Sequence, residues 1–189
     1  MGAELHHRHS IRLKGYDYRW AGAYFVTLCT FQRECLFTFW DCDGTLELNT
    51  LGCMAKTDWL AIPEHFPGVE LDAYMVMPNH VHGILVIAQP NSAEATPPVG
   101  AQHAAPLPTP PYRHDNVTPG SLGAIVRSYK SAVTRHINQT MQTPGQTRWQ
   151  RNYYEHIIHN EADLQRIRQY IWENPSHWAE DENHPDQKG

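Results

Sequence analysis

A chain of 189 residues with 41% apolar and 11% aromatic side chains has enough apolar surface for one globular domain with a core, which excludes fibrous, collagen-like and wholly disordered classes. Fifteen Lys+Arg against twenty Asp+Glu leave a formal charge of −5, which taken as a bulk figure argues against a nucleic-acid partner. The longest apolar run, Ile84 to Ala88, is far short of the roughly 20 residues a membrane span needs, and residues 1 to 9 contain no apolar signal core. The sequence therefore predicts a cytoplasmic protein with no membrane partner. Cys29, Cys35, Cys42 and Cys53 include no Cys-x-x-Cys pair and read as reduced thiols rather than a disulfide frame or a zinc knuckle.

Residues 1 to 20 form a basic arm carrying Arg8, Arg12, Lys14 and Arg19, followed by the β-branched and aromatic run Ala23 to Phe31, a strand. Asp43-Gly44 between Phe37/Phe39 and Leu46/Leu48 signals a small hairpin. Leu51, Met54, Ala55, Trp59 and Ile62 recur at helical spacing over 51 to 65, and Pro67-Gly68 ends that helix. Val69–Met77 and His80–Ala88 are two further strands with so short a link that they predict an antiparallel hairpin. Residues 89 to 120 hold eight of the fourteen prolines and read as an extended loop inserted within a single domain spanning 21 to 178.

Leu122, Ile125, Val126, Tyr129, Val133 and Ile137 then mark an amphipathic helix opened by Pro119-Gly120-Ser121. Pro144-Gly145 is a turn, and Trp149–Ile158 a fourth strand. Asn160 caps a last helix with Glu161 and Asp163 in its first turn, running to about Asn174 and stopped by Pro175. The order β-α-β-β-α-β-α predicts an α+β, ferredoxin-like antiparallel sheet with helices on one face and a further C-terminal helix. Residues 179 to 189 read as a frayed acidic tail.

Two local patterns carry chemistry. In Met77-Pro78-Asn79-His80-Val81-His82-Gly83, residues two apart on a strand share a face, so His80 and His82 present two imidazoles together while Val81 points to the core. Such a pair is a two-ligand clamp for a divalent metal or, equally, two histidines on a solvated strand. Gly83 leaves room for a ligand or another backbone to approach. In the last helix, Tyr170 and Asn174 are four apart and share a face beside the apolar stripe Leu164, Ile167, Ile171.

Taken jointly, a strand ending in His-apolar-His and a terminal helix with Tyr and an amide four residues on resemble the single-tyrosine HUH transposases. The chain is more similar to the REP-associated tyrosine transposases, through Gly22–Thr27, Met75–Ile84, Gly123–Ser131, Trp149–His156 and Tyr170–Pro175, over roughly residues 10 to 178. The resemblance implies that His80 and His82 hold Mg²⁺ or Mn²⁺, with Asn174 as third, amide-type ligand, and that Tyr170 is the nucleophile, leaving a 5′-phosphotyrosine and a free 3′-hydroxyl. It implies single-stranded DNA carrying short REP-type palindromic hairpins as substrate, a protein associated with the nucleoid, and either a monomer or a homodimer. Asn stands where insertion-sequence relatives carry Gln at the third ligand; Asn-Pro is the usual form in the REP-associated branch.

The chemistry has its own footing. Phosphodiester cleavage develops negative charge that a cation offsets best when its ligands are neutral, as two imidazoles and an amide are. A phenol of pKa about 10 is a poor nucleophile at neutral pH, and a nearby cation favours its phenolate. Tyr153 and Tyr154, on the fourth strand, suit packing or base stacking better than catalysis. Tyr129 reads as core, and His156 as a satisfied or surface histidine with an accessory metal role as the alternative.

Arg12, Lys14, Arg127, Lys130, Arg148 and Arg151, with Tyr153, are the candidate DNA contacts. Residues 34 to 72 carry eight acids against one Lys, whereas 116 to 154 carry five Lys+Arg and no acid, so the net charge averages a polarised molecule. Two other readings compete. One is a hairpin-binding regulator of DNA or RNA whose catalysis has lapsed, which needs none of His80, His82, Tyr170 and Asn174. The other is a metal-dependent hydrolase, which calls for an acid near the histidines, and residues 73 to 93 have none.

Overall fold

The computed structural model describes residues 21–40, 42, 45–88 and 120–187. The basic arm with Arg12 and Lys14, the Asp43-Gly44 turn and the proline-rich insertion from 89 to 119 lie outside the described residues. Four strands, β1 (Gly22–Cys29), β4 (Val69–Val76), β5 (His80–Ile87) and β6 (Tyr154–Ile158), make one sheet in the order β4-β5-β1-β6, every neighbour antiparallel. This is the expected α+β arrangement. The hairpin expected after β1 is present as β2 (Thr38–Trp40) and β3 (Leu46–Leu48).

Strand alternation divides the sheet into two apolar faces. Tyr24, Val26 and Leu28 of β1 and Val81, Leu85 and Ile87 of β5 point to the larger core, which is covered by α1 (Thr50–Leu60) and α3 (Leu122–Thr140). Phe25 and Ile84 point the other way and meet Ile167 and Ile171 of α4 (Glu161–Glu173). Among the described residues, α4, which carries Tyr170, is the one α-helix packed on this second face of the sheet. Tyr129 is core as expected, its hydroxyl donating to the Ala55 carbonyl at 3.1 Å. Asn49, Ser121 and Asn160 cap α1, α3 and α4 by accepting from the backbone N–H three residues on.

The structure departs from the sequence reading at several points. The helix expected over 51–65 is split after Leu60 into α1 and α2 (Ile62–His65), because Pro63 cannot donate to the carbonyl four residues back. The fourth strand begins only at Tyr154. Lys130 explains the loss: its amine reaches out of α3 to the carbonyls of Gln150 (2.9 Å) and Asn152 (3.3 Å), drawing that segment off the ladder, and only a bridge from Trp149 to Thr30 remains. Gly83 does not open the sheet to a ligand. A Cβ there would lie 2.1 Å from Cζ2 of Trp59, so the glycine admits an indole from α1 on the face opposite the histidines.

The last α-helix ends at Glu173, before Pro175 as expected, but the chain does not leave the fold there: a 3-10 segment follows over Asn174–Glu180 with Pro175 near its start, where a missing N–H is no handicap. Nor do residues 181 to 187 fray: Asp181 and Asn183 are buried, and the Asn183 carbonyl accepts from Nδ2 of Asn79 at 2.7 Å. The acidic composition hides two side chains that fold back under the sheet end. Among the described residues no helix is long and apolar enough to cross a membrane, and none of the four cysteines is in a disulfide.

Candidate active site

His80 and His82 sit at the start of β5, opposite Cys29 and Thr27 of β1, on the α4 face. Both are essentially fully buried. Their Nε2 atoms are 2.9 Å apart, which two nitrogens sustain only by sharing a proton or a cation. Nδ1 of His80 is 2.9 Å from Oδ1 of Asn79, and Nδ1 of His82 is 2.9 Å from Oγ1 of Thr27, so each ring is held from behind. Phe25 stacks on His82 with centroids 5.5 Å apart. Burial lowers the pKa of His80 to about 3 and that of His82 well below the ordinary imidazole value, so both are neutral, the form that ligates a metal.

Tyr170 reaches the pair from above. Its hydroxyl is 3.4 Å from Nε2 of His82, and its ring meets Phe25 edge-on at 6.0 Å. The side chain is 41% exposed, so the phenol looks both into the site and out to solvent. Burial, then the charges of Asp181 and Glu182, push its pKa up to about 12. The protein without a cation therefore does not favour the phenolate.

Asn174 is buried one turn beyond Tyr170, with Nδ2 donating to Oδ2 of Asp181 at 2.8 Å. It is close enough to His80 to oppose the lowering of that pKa, yet its Oδ1 is buried and completes no hydrogen bond. Oδ2 of Asp181 is 4.0 Å from Nε2 of His80. Ligand atoms of His80, His82 and Asp181 lie within 4.8 Å of one another.

This donor set fits a divalent cation. The 2.9 Å between the two Nε2 atoms matches the roughly 3.0 Å between adjacent ligands of an octahedral ion at about 2.1 Å, and the orphaned Asn174 oxygen lacks only a Lewis acid. Asp181 corrects two parts of the sequence reading. A carboxylate does approach the histidines, from 101 residues along the chain rather than from 73 to 93, and its charge removes part of the advantage of an all-neutral ligand set. The only sequence signal for it was the acid-rich tail.

A second device was also missed. Arg168, two residues before Tyr170, clasps Asp72 of β4 through Nε to Oδ1 (2.8 Å) and Nη2 to Oδ2 (2.5 Å), and Asp72 lies in the register shift between Leu71 and Tyr74. This bidentate pair fixes α4 along the sheet. His156 stands away from the histidine pair, bonded through Nε2 to Asp163 at 2.8 Å.

The proposed DNA contacts are not gathered at the site. Arg127 of α3 and Arg151 are exposed, and α3 covers the opposite face of the sheet from Tyr170. Lys130 spends its amine on the carbonyls named above. Arg148 is 2% exposed and donates to Oδ1 of Asn138 and Oγ1 of Thr143, which makes it a brace for the loop after α3. Tyr153 is half-buried against the larger core, 5.7 Å below the Lys130 amine.

No protein-family model matches the chain. A Haemophilus influenzae protein described as uncharacterized is 39% identical over 184 residues, 97% of each chain. The structure of a REP-associated tyrosine transposase bound to a REP hairpin overlays with a TM-score of 0.53 and 19% identity, covering 84% of this chain and 68% of that one. A Deinococcus radiodurans R1 protein of known structure covers 86% of this chain and 96% of its own at 21% identity, with a TM-score of 0.40. The chain belongs to one family with the Haemophilus influenzae protein, and its fold is that of the REP-associated tyrosine transposase.

Proposed function

We propose that the protein is a transposase-type endonuclease and strand transferase acting on single-stranded DNA at or near REP-type hairpins. The observation that carries this reading is the position of Tyr170, a half-exposed phenol 3.4 Å from a buried, neutral pair of histidines whose donor atoms converge. A hairpin-binding regulator has no use for that convergence. A hydrolase would find a carboxylate in Asp181, but its water would have to work beside a better placed phenol. The similarity in fold to a transposase bound to a REP hairpin supports the choice of substrate.

His80 and His82, with the Asn174 amide and the Asp181 carboxylate, would hold Mg²⁺ or Mn²⁺. When bound, the cation supplies charge to offset that developing on the scissile phosphate and to favour the Tyr170 phenolate. The Tyr170 oxygen forms a bond to phosphorus as the bond from phosphorus to the 3′-oxygen breaks. The phenol proton leaves to solvent, and the departing 3′-oxygen takes one up. The ester on Tyr170 retains the energy of the broken bond, so a second 3′-hydroxyl can reverse the step and join strands. Arg168 and Asp72 hold the nucleophile's helix in place, and the Phe25 ring keeps water from one side of His82.

The test is incubation of the protein with labelled single-stranded hairpin oligonucleotides and Mn²⁺ or Mg²⁺. Cleavage with a denaturation-resistant protein–DNA adduct, abolished by chelator, supports the proposal. Tight hairpin binding without cleavage supports the regulator, and cleavage without an adduct supports the hydrolase.

A further inference from the structure

Asn79 is fully buried between Pro78 and the first histidine of β5. Its Nδ2 donates to two backbone carbonyls, Arg33 at 3.1 Å and Asn183 at 2.7 Å. Carbonyls only accept, so these two contacts decide which way the amide faces and turn Oδ1 toward Nδ1 of His80, 2.9 Å away. An amide oxygen also only accepts, so Nδ1 of His80 must carry the proton. A neutral imidazole has one, and Nε2 of His80 is left as a bare lone pair.

The rest of the chain of contacts follows from counting protons. Nε2 of His80 faces Nε2 of His82 at 2.9 Å, and with no cation between them His82 must donate from Nε2. Its Nδ1 then accepts from the hydroxyl of Thr27, 2.9 Å away. A hydroxyl, unlike the Asn79 oxygen, can also accept. The two histidines therefore differ: one is locked from behind and the other is reversible.

We propose that Asn79 is a positioning residue that locks His80 as the Nδ1–H tautomer, while Thr27 lets His82 change tautomer when a divalent cation arrives. On binding, the proton on Nε2 of His82 is replaced at that atom by the cation and reappears on Nδ1, where the Thr27 hydroxyl turns to accept it. No net proton is released, and His80 does not change. This inference rests on the reading of His80 and His82 as a cation site.

Long-range ¹H–¹⁵N NMR of the full chain reads each ring nitrogen directly, with Mg²⁺ as a diamagnetic probe and no variant required. The expected result is His80 protonated at Nδ1 with and without Mg²⁺, and His82 moving from Nε2–H to Nδ1–H on titration. His80 found as Nε2–H in the metal-free protein overturns the lock, and His82 unchanged under saturating Mg²⁺ overturns the switch. A second arm measures Mn²⁺ affinity by electron paramagnetic resonance. Asn79→Leu should weaken binding about 10- to 100-fold, whereas Asn79→Asp, which keeps the acceptor for His80 but gives up both donor bonds to the Arg33 and Asn183 carbonyls, should bind clearly more tightly than Asn79→Leu. Equal loss in both variants makes Asn79 a brace for the Arg33 and Asn183 segments and overturns the inference alone. A wild-type protein that binds neither ion overturns it together with the cation site.

Discussion

The hydroxyl of Tyr170 stands 3.4 Å from Nε2 of His82, a contact between α4 and β5 across 88 residues of chain. It depends on α4 lying at one longitudinal position on the sheet, which two polar contacts hold: the Asp72–Arg168 clasp to β4, near Tyr170, and the His156–Asp163 bond to β6, at the start of the helix.

Arg168→Ala should therefore slow hairpin cleavage by about 10- to 100-fold through misplacement of the phenol. Mn²⁺ affinity should be unchanged, because Arg168 touches no ligand atom. Single-turnover cleavage and a Mn²⁺ titration on the same preparation check both halves. Loss of Mn²⁺ binding would show that the clasp supports the whole sheet end rather than the position of the Tyr170 phenol.

Asp181 bears on both the proposed cation site and the Tyr170 phenol. Asp181→Asn should weaken Mn²⁺ binding by about tenfold, since it removes the one charged donor of the cluster. It should also lower the pKa of Tyr170 from about 12, because Asp181 is among the charges that raise it. The alkaline absorbance change of the phenolate, followed in wild type and variant without metal, reads the second effect. A phenol titration that does not move would place Asp181 outside the site.

Stability of the metal-free protein should fall with acid. Burial lowers His80 to about 3, whereas an unfolded imidazole titrates near 6.5. Between these values the unfolded chain binds the additional proton, so the contribution is intact above about pH 6.5 and is lost as pH falls toward 3. His82 is shifted in the same direction. Thermal unfolding should show a midpoint that declines steadily through this window, with a shallower decline in His80→Gln. An equal slope in the variant contradicts the assignment.

Gly83→Ala tests the other face of the same strand. The added methyl would meet the buried Trp59 ring at 2.1 and 2.6 Å, so the variant should lose about 3 kcal/mol in urea unfolding. Trp59→Phe in the same chain should recover part of that loss. Fully additive losses would mean that the strand, not the indole, gives way.

Much of this was legible in the amino acids because it is local. Alternation put His80 and His82 on one face, the four-residue spacing put Tyr170 beside Asn174, and Asn160 capped the helix it was expected to cap. Asp181, Asn183 and the Asp72–Arg168 clasp were not legible, since each joins segments far apart in sequence and leaves no periodic trace. Gly83 and Lys130 show a second limit. A glycine signals that space is needed without saying on which face, and a lysine in a basic stretch reads as a phosphate contact until its amine is found on two carbonyls.

Whether Tyr170 takes the phosphoryl group is read by mass-spectrometric peptide mapping of the protein–DNA adduct. Trypsin separates the candidates: residues 169 to 188 contain Tyr170, and residues 152 to 166 contain Tyr153 and Tyr154. The nucleotide mass is expected on Tyr170 in the first peptide, with no adduct from Tyr170→Phe. Nucleotide on the second peptide, or an undiminished adduct in Tyr170→Phe, would contradict transfer to Tyr170.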